Sequence, residues 1–160
     1  MKRIALTQGK EAIVDDEDYE YLMQWKWYAV RNRKSFYAAR TVRSNGKRKI
    51  VFIHQELTAR RGWFDCQVDH RDRDGLNNQR ANLRPATVAQ NTSNQGPYRN
   101  NTSGAKGVSW HAHTCKWHAD VFRMGLRASR YFDDFNEAVA WRDAKAKEFH
   151  GEFAYLNGVA

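Results

Sequence analysis

Residues 68–91 read VDHRDRDGLNNQRANLRPATVAQN, and this stretch decides the fold around it. Residues 66–70 alternate in polarity before a charged turn that contains Gly75, so a short strand is predicted to end there. Residues 83–86 make a second short apolar segment, in which Pro85 is tolerated only at an edge or an end of a strand. The stretch therefore starts with two short strands joined by a charged loop.

A helix is predicted directly after the second strand. Thr87 is followed three residues later by Gln90, which is the spacing of a capping box. We therefore expect a helix to start over residues 88–94. The predicted order of elements is strand, loop, strand, helix.

Three side chains of the stretch have the chemistry that cutting a phosphodiester bond requires. The reaction needs a hard cation held by oxygen ligands and a base that activates water. Asp69 and Asn91 offer oxygen ligands, and His70 titrates near neutrality and can act as the base. Neighbouring strand residues point to opposite faces, so the strand must end or twist at Asp69 and His70.

The same stretch resembles the HNH nucleases with a ββα-metal fold, particularly the homing endonuclease branch, whose pattern runs DH, NN, NL and EN. A single Asn at such a place is typical of a turn, but the combination at this spacing favours the nuclease. The matching pairs are Asp69-His70, Asn77-Asn78, Asn82-Leu83 and Gln90-Asn91.

The resemblance implies a role for each matching residue. Asp69 and Asn91 would be metal ligands, and His70 would be the general base. Asn82 would tie the loop and orient His70, while Asn77 and Asn78 are close rivals for holding the loop. The implied cofactor is Mg²⁺ or another divalent cation such as Mn²⁺, and the products would carry 5′-phosphate and 3′-hydroxyl ends.

Residues 1–55 have the pattern of a β-rich scaffold. Strands are predicted at residues 4–6 and 12–14, a helix at 15–24, and a hairpin from residues 35–43 and 49–53 around Ser-Asn-Gly-Lys. The aromatic residues of this part form a small core or, alternatively, stack on unpaired bases. His54 lies just after the hairpin and either contacts the scissile phosphate or packs against the nuclease core.

The nuclease module is predicted over residues 56–94, with a strand contributed by the scaffold, and a linker over residues 95–104. The linker has almost no apolar residues, so it should be extended and exposed. Tyr98 and Arg99 are candidates for contacts with a DNA groove or phosphate. The alternative is a flexible tether.

The pattern changes to three short strands and a helix over residues 105–158. Val108, Trp110, Trp117, Ala119 and Val121 alternate as core candidates. Residues 104–157 resemble the APETALA2-type DNA-binding domain through GVSW, KWHADV and the closing GEFAYLN. In that family the open face of the sheet lies in the major groove.

Charge favours the same orientation. Residues 97–131 hold six Lys or Arg and one acid, whereas residues 132–160 hold three and six, so the sheet should face DNA. Arg142 on the helix either reaches a phosphate or is solvated. The residues expected on the open face are Lys106, Ser109, His111, His113 and Phe122, with Arg123, Arg127 and Arg130 near the phosphates.

Two cysteines and several histidines bear on metals and on the compartment. His111, His113, Cys115 and His118 resemble a transition-metal cluster, although strand alternation also explains them. Cys66 and Cys115 have no CxxC spacing, so neither a disulfide framework nor a structural zinc site is indicated, and a reduced, intracellular setting fits best. The expected localisation is the cytoplasm, in a protein of phage or bacterial type. No segment has the length of a membrane span.

Together these features predict an α+β protein of 160 residues that binds double-stranded DNA. The net charge of +9 and a pI near 9.8 are typical of a protein with a polyanion partner. The first hypothesis is a site-selective HNH endonuclease, and the alternative is a DNA-binding, regulatory protein with a vestigial nuclease module. RNA as the substrate or ligand stays open, as does the choice between monomer and homodimer.

Overall fold

The computed structural model describes residues 1–32 and 35–158. The fold is mixed α+β, as the sequence predicts, and is made of small antiparallel sheets and short helices. The chain divides into two compact units, Met1–Val88 and Ala89–Ala160.

Seven strands in three sheets and two helices form the first unit. Its strands and helices are β1 (Lys2–Ala5), β2 (Glu11–Val14), α1 (Asp16–Leu22), β3 (Tyr28–Asn32), β4 (Ser35–Ser44), β5 (Lys47–Phe52), α2 (Ile53–Ala59), β6 (Gln67–His70) and β7 (Leu83–Ala86). The sheets are β1-β2, β3-β4-β5 and β6-β7. The buried core lies among Ile4, Ala12, Val14, Leu22, Trp27, Ala38, Ile53, Leu57 and Leu83.

The predicted β4–β5 hairpin is present, and its turn explains its register. Asn45 and Gly46 both have positive φ, 50° and 73°, as a two-residue type I′ turn requires. Ser44 therefore faces Lys47, and the pairing continues to Ala39 opposite Phe52.

Three strands and two helices form the second unit. They are α3 (Val88–Asn94), which starts at the last residue of the first unit, β8 (Val108–His111), β9 (Lys116–Arg123), β10 (Leu126–Phe132) and α4 (Phe135–His150). The sheet order is β10-β9-β8, and α4 covers one face with Ala138 and Val139 against Val108 and Ala119. A helix on one side of a three-stranded sheet leaves the other side open.

One predicted core residue, Trp110, is not buried. Trp110 is 51% exposed, although it pairs directly with Trp117 across β8 and β9. The two indoles pack edge to face at 5.2 Å, and Trp117 in turn contacts Phe135 of α4. Alternation therefore gives the correct face for Trp110, but β8 is an edge strand and the helix does not cover this side chain.

Candidate active site and nucleic-acid-binding face

The end of β6 carries a buried ion pair. Asp69 lies directly opposite Arg84 in the β6–β7 register, and its Oδ2 accepts from Arg84 Nε at 2.8 Å and lies 2.6 Å from Nη2. The two side chains are 4% and 5% exposed. A buried carboxylate needs such a counter-charge, because leaving it alone in a low-dielectric site is strongly unfavourable.

His70 is buried against aromatic rings of the first unit. Its ring lies 5.1 Å from that of His54 and 5.9 Å from that of Tyr37. Burial lowers the pKa of His70 below its usual value, although the side chain of Asn78 and the carboxylate of Asp72 act in the opposite direction. The imidazole is therefore neutral near neutral pH, which is the state a proton acceptor needs.

His54 lies beside His70. Its ring stacks on Phe52 at 5.4 Å with 7° between the planes. Burial, and then the charge that His70 would carry, lowers the pKa of His54 to about 3. Of the two interpretations from the sequence, packing next to the candidate base is the one that these contacts support.

The loop of residues 71–82 is held by its own polar side chains. Asn82 Oδ1 accepts from the backbone N–H of Asp72 at 3.0 Å, and its Nδ2 donates to Asp72 Oδ1 at 2.9 Å and to the carbonyl of Asn77 at 2.8 Å. Asn82 thus ties the loop, whereas Asn78 is the asparagine whose side chain acts on the pKa of His70. Asn78 is fully buried, and its Nδ2 also donates to the carbonyl of Leu76.

Two further contacts fix the loop to the scaffold. A Cβ on Gly75 would lie 2.5 Å from the carbonyl of Phe36 and from the ring of Tyr37, so only glycine fits this close approach. Arg80 donates from Nε and Nη2 to the two oxygens of buried Asp18 on α1. The bond from Arg80 lowers the pKa of Asp18, although burial opposes it.

The remaining predicted metal ligand, Asn91, lies on α3 and belongs to the second unit. Among residues 1–32 and 35–158, no three His, Cys, Asp or Glu side chains lie together where they would hold a metal ion. The proposed cluster of His111, His113, Cys115 and His118 is therefore not formed. Asp69 and Asn91 each carry an oxygen donor of the type that a hard divalent cation takes, and Oδ2 of Asp69 is already held by Arg84.

The register of the second sheet defines its open face. Val108 and Ala119 face α4, so the alternate residues lie on the other side. Three rings meet there, with Tyr131 5.3 Å from His111 and 4.8 Å from His118. The open-face residues are Ser109, His111, Lys116, His118, Asp120, Phe122, Arg127, Ser129 and Tyr131.

Four basic residues that the sequence predicts on the open face or near the phosphates lie elsewhere. Lys106 Nζ donates to the carbonyls of Thr92, Ser93 and Gln95 and so caps the end of α3. Arg123 donates to the carbonyl of Phe149 on α4, and Arg130 pairs with Ala119 on the side that faces the helix. Arg142 is buried, where it bonds Asp143 and the carbonyl of Tyr155.

Ser109, His111, Phe122 and Arg127 do lie on the open face, and Phe122 is exposed. His113 is exposed between β8 and β9. Tyr98 and Arg99 are exposed in the segment that follows α3. The sequence reasoning missed Tyr131, which strand parity from Phe132 would have placed on the open face.

Closure of the second unit depends on the GEFAYLN segment. Asn157 Oδ1 accepts from the backbone N–H of Lys106 at 2.7 Å, and its Nδ2 donates to Asp143 at 2.8 Å. Phe153 is buried. This motif is therefore structural and joins the start of the unit to α4.

The fold and site define an α+β protein with a buried Asp-Arg and His-His centre in one unit and a helix-backed, three-stranded sheet in the other. The chain is 37% identical over 87 residues to Protein 3.8 of Escherichia phage T7, an alignment that covers 54% of this chain and 72% of that protein. The chain belongs to the same family as Protein 3.8. No family profile and no solved structure matches it.

Proposed function

We propose that the chain is a metal-dependent, site-selective DNA endonuclease of the HNH homing type that acts in the cytoplasm of a phage-infected or bacterial cell. The observation that carries the proposal is the Asp69-His70 pair at the end of β6. Burial lowers the pKa of His70, so the imidazole is neutral near neutral pH. The similarity to a phage protein supports the setting. No helix of the described residues is long and apolar enough to cross a membrane.

In this mechanism His70 takes a proton from a water molecule, whose oxygen forms a bond to phosphorus while the bond to the 3′ oxygen breaks. The leaving 3′ oxygen then takes up a proton, which gives 5′-phosphate and 3′-hydroxyl ends. Asp69 and Asn91 would hold Mg²⁺ or Mn²⁺, which supplies charge stabilisation for the leaving oxygen. The loop tied by Asn82 keeps His70 and Asn78 in fixed positions.

The open face of β8-β9-β10 is the proposed reader of double-stranded DNA. Its exposed Phe122, the ring cluster of His111, His118 and Tyr131, and Arg127 provide apolar and hydrogen-bonding groups for a groove. Arg127 pairs with Asp120 at 3.0 Å, so a phosphate contact would compete with that pair. Tyr98 and Arg99 add exposed contacts from the segment that follows α3.

Incubation of the full chain with supercoiled plasmid and Mg²⁺ tests the proposal. The wild type should nick or linearise the plasmid, and sequencing of the ends should give 5′-phosphates. His70→Ala should lose cleavage by roughly two to four orders of magnitude, as loss of a general base does, and should keep DNA binding. His150→Ala, which changes a histidine of α4 in the other unit, is the matched control, and equal activity of wild type and His70→Ala contradicts the assignment.

A second candidate is a DNA-binding, regulatory protein whose nuclease module is vestigial. The Asp69–Arg84 ion pair favours it, because Arg84 already provides the counter-charge of the predicted metal ligand. Tight duplex binding with no Mg²⁺- or Mn²⁺-dependent cleavage would select this function. Competition by duplex RNA as strong as by duplex DNA would select an RNA partner instead.

A further inference from the structure

The β4–β5 hairpin of the first unit carries a concentration of positive charge that the proposed cleavage chemistry does not use. Residues 41–52 contain four Lys or Arg and no acid. Arg43, Lys47, Arg48 and Lys49 are all exposed. Within the described part of the chain, none of these four side chains forms an ion pair.

The two arginines of the hairpin face each other, which is electrostatically unfavourable. Arg43 lies directly opposite Arg48 in the antiparallel register. Like charges that face each other across two strands destabilise a sheet. A partner with negative charge would remove this repulsion and give the pair a function.

The arginine pair shares a face of the sheet with the candidate active site. Side chains two, four and six residues apart on a strand lie on the same face, so Arg43 is on the side of Tyr37, and Arg48 is on the side of Phe52. Tyr37 contacts His70, and Phe52 stacks on His54. The face therefore runs from the histidine pair to the arginine pair.

The middle of this face is exposed. Thr41 lies opposite Ile50, which is half exposed, and the Tyr28 hydroxyl bonds the Thr41 hydroxyl at 2.8 Å. From Tyr37, the residue of this face that contacts His70, to Arg43 the strand advances six residues, or about 20 Å. That length matches about six base pairs along a duplex axis.

We propose that this face of β3-β4-β5 is a backbone-binding track for duplex DNA, in which Arg43 and Arg48 hold phosphates about six base pairs from the phosphate that His70 approaches. The inference deepens the proposed nuclease function and rests on it, because it takes His70 as one end of the track. Arg43 and Arg48 bind phosphate regardless of sequence, so they add affinity and register but no base preference.

The hairpin supplies a matched control. Lys47 and Lys49 are exposed on the same two-strand ribbon and lie on the opposite face, since Lys49 pairs with Val42 and Lys47 with Ser44. A double substitution Arg43→Gln/Arg48→Gln and a double substitution Lys47→Gln/Lys49→Gln remove the same charge. Only the first pair lies on the track.

The experiment measures binding of each full-length variant to a short fluorescein-labelled DNA duplex by anisotropy, without divalent metal and over a series of salt concentrations. The arginine variant should lose about 2 from the slope of log affinity against log salt, and roughly tenfold or more in affinity at low salt. The lysine variant should show a clearly smaller loss. The melting temperature of the arginine variant should stay the same or rise, because a repulsion is removed.

Three results would overturn the track. The first is an arginine variant that binds DNA like the wild type. The second is an equal loss in both variants, which would mean that net charge alone matters. The third is a loss for duplex RNA without a loss for duplex DNA. The binding assay contains no divalent metal, so its result does not depend on cleavage. If the chain binds DNA through the two arginines but never cuts DNA, the nuclease function is refuted and the proposed DNA-binding face is retained.

Discussion

Replacement of Arg84 by methionine tests the buried pair at the end of β6. Methionine keeps much of the length of the side chain and removes its charge and donors. The Asp69 carboxylate, 4% exposed, would then be buried without its counter-charge. The substitution should destabilise the first unit strongly, and the effect should arise from the carboxylate left behind and not from lost packing.

The size of the effect follows from the geometry. Arg84 reaches one carboxylate oxygen at 2.8 and 2.6 Å, and two unit charges about 4 Å apart interact by about 4 kcal/mol at an effective dielectric constant of 20. Breaking a buried pair by removal of one partner costs about 3–5 kcal/mol. The double variant Asp69→Leu/Arg84→Met removes both charges and should be within about 1–2 kcal/mol of the wild type.

Hydrogen exchange gives the measurement unit by unit. The amide of Arg71, which donates to the carbonyl of Asn82 at 2.9 Å, reports opening of the β6–β7 pair. Amides of β9 in the second unit serve as the internal reference and should be unchanged. If Arg84→Met lowers the opening free energy by less than about 1 kcal/mol, or if the double variant is as damaged as the single one, the pair is solvated and the reasoning fails.

Three further predictions concern the loop, the histidine pair and the open face. Asn82→Ala removes three hydrogen bonds to the loop and should lower the free energy of unfolding by about 2–4 kcal/mol, while Asn101→Ala, on the other unit, should leave exchange of the 71–82 amides unchanged. Burial lowers the pKa of His54 to about 3, so between about pH 6.5 and 3 the unfolded state binds a proton that the folded state does not bind. The free energy of unfolding should therefore fall as pH falls through that window. Urea titrations should show a weaker fall in His54→Phe, and an equal fall in both proteins would contradict the lowered pKa. Tyr131→Ala should weaken DNA binding more than Arg130→Gln, since only Tyr131 lies on the open face, and the opposite order in anisotropy titrations would exclude that face as the reader.

Local patterns predicted most of the fold. The Asn-Gly turn determined the β4–β5 register through its two positive φ angles. The capping-box spacing of Thr87 and Gln90 predicted the helix that begins at Val88. These signals act over a few residues, so a single sequence contains them. The solvent exposure of Trp110 depends on which strand lies at the edge of the sheet. The order of the strands decides this, and the alternation of residues along β8 does not.

The cations of the second unit show the limit of charge as a predictor. Lys106, Arg123 and Arg142 differ little in sequence context from Arg127, yet each donates to backbone carbonyls of its own unit. Their partners are 11 to 26 residues away, so no local pattern identifies them. Arg127 lies on the open face because strand parity places it there, and parity is readable from the sequence once the register is known.

The asparagines of the 71–82 loop show that a sequence motif identifies the residues of a site more readily than the role of each residue. Asn77, Asn78 and Asn82 are the same residue type within six positions, so their chemistry does not distinguish them. Burial does, because Asn78 is fully enclosed and acts on the pKa of His70, whereas Asn82 joins two backbone segments with both ends of its amide. An aspartate at position 78 would keep the size and place a charge beside the imidazole, which would hold the pKa of His70 higher. Asn78→Asp should therefore shift the pH profile of cleavage to higher pH, whereas a role in the loop alone would reduce activity at every pH without moving the profile.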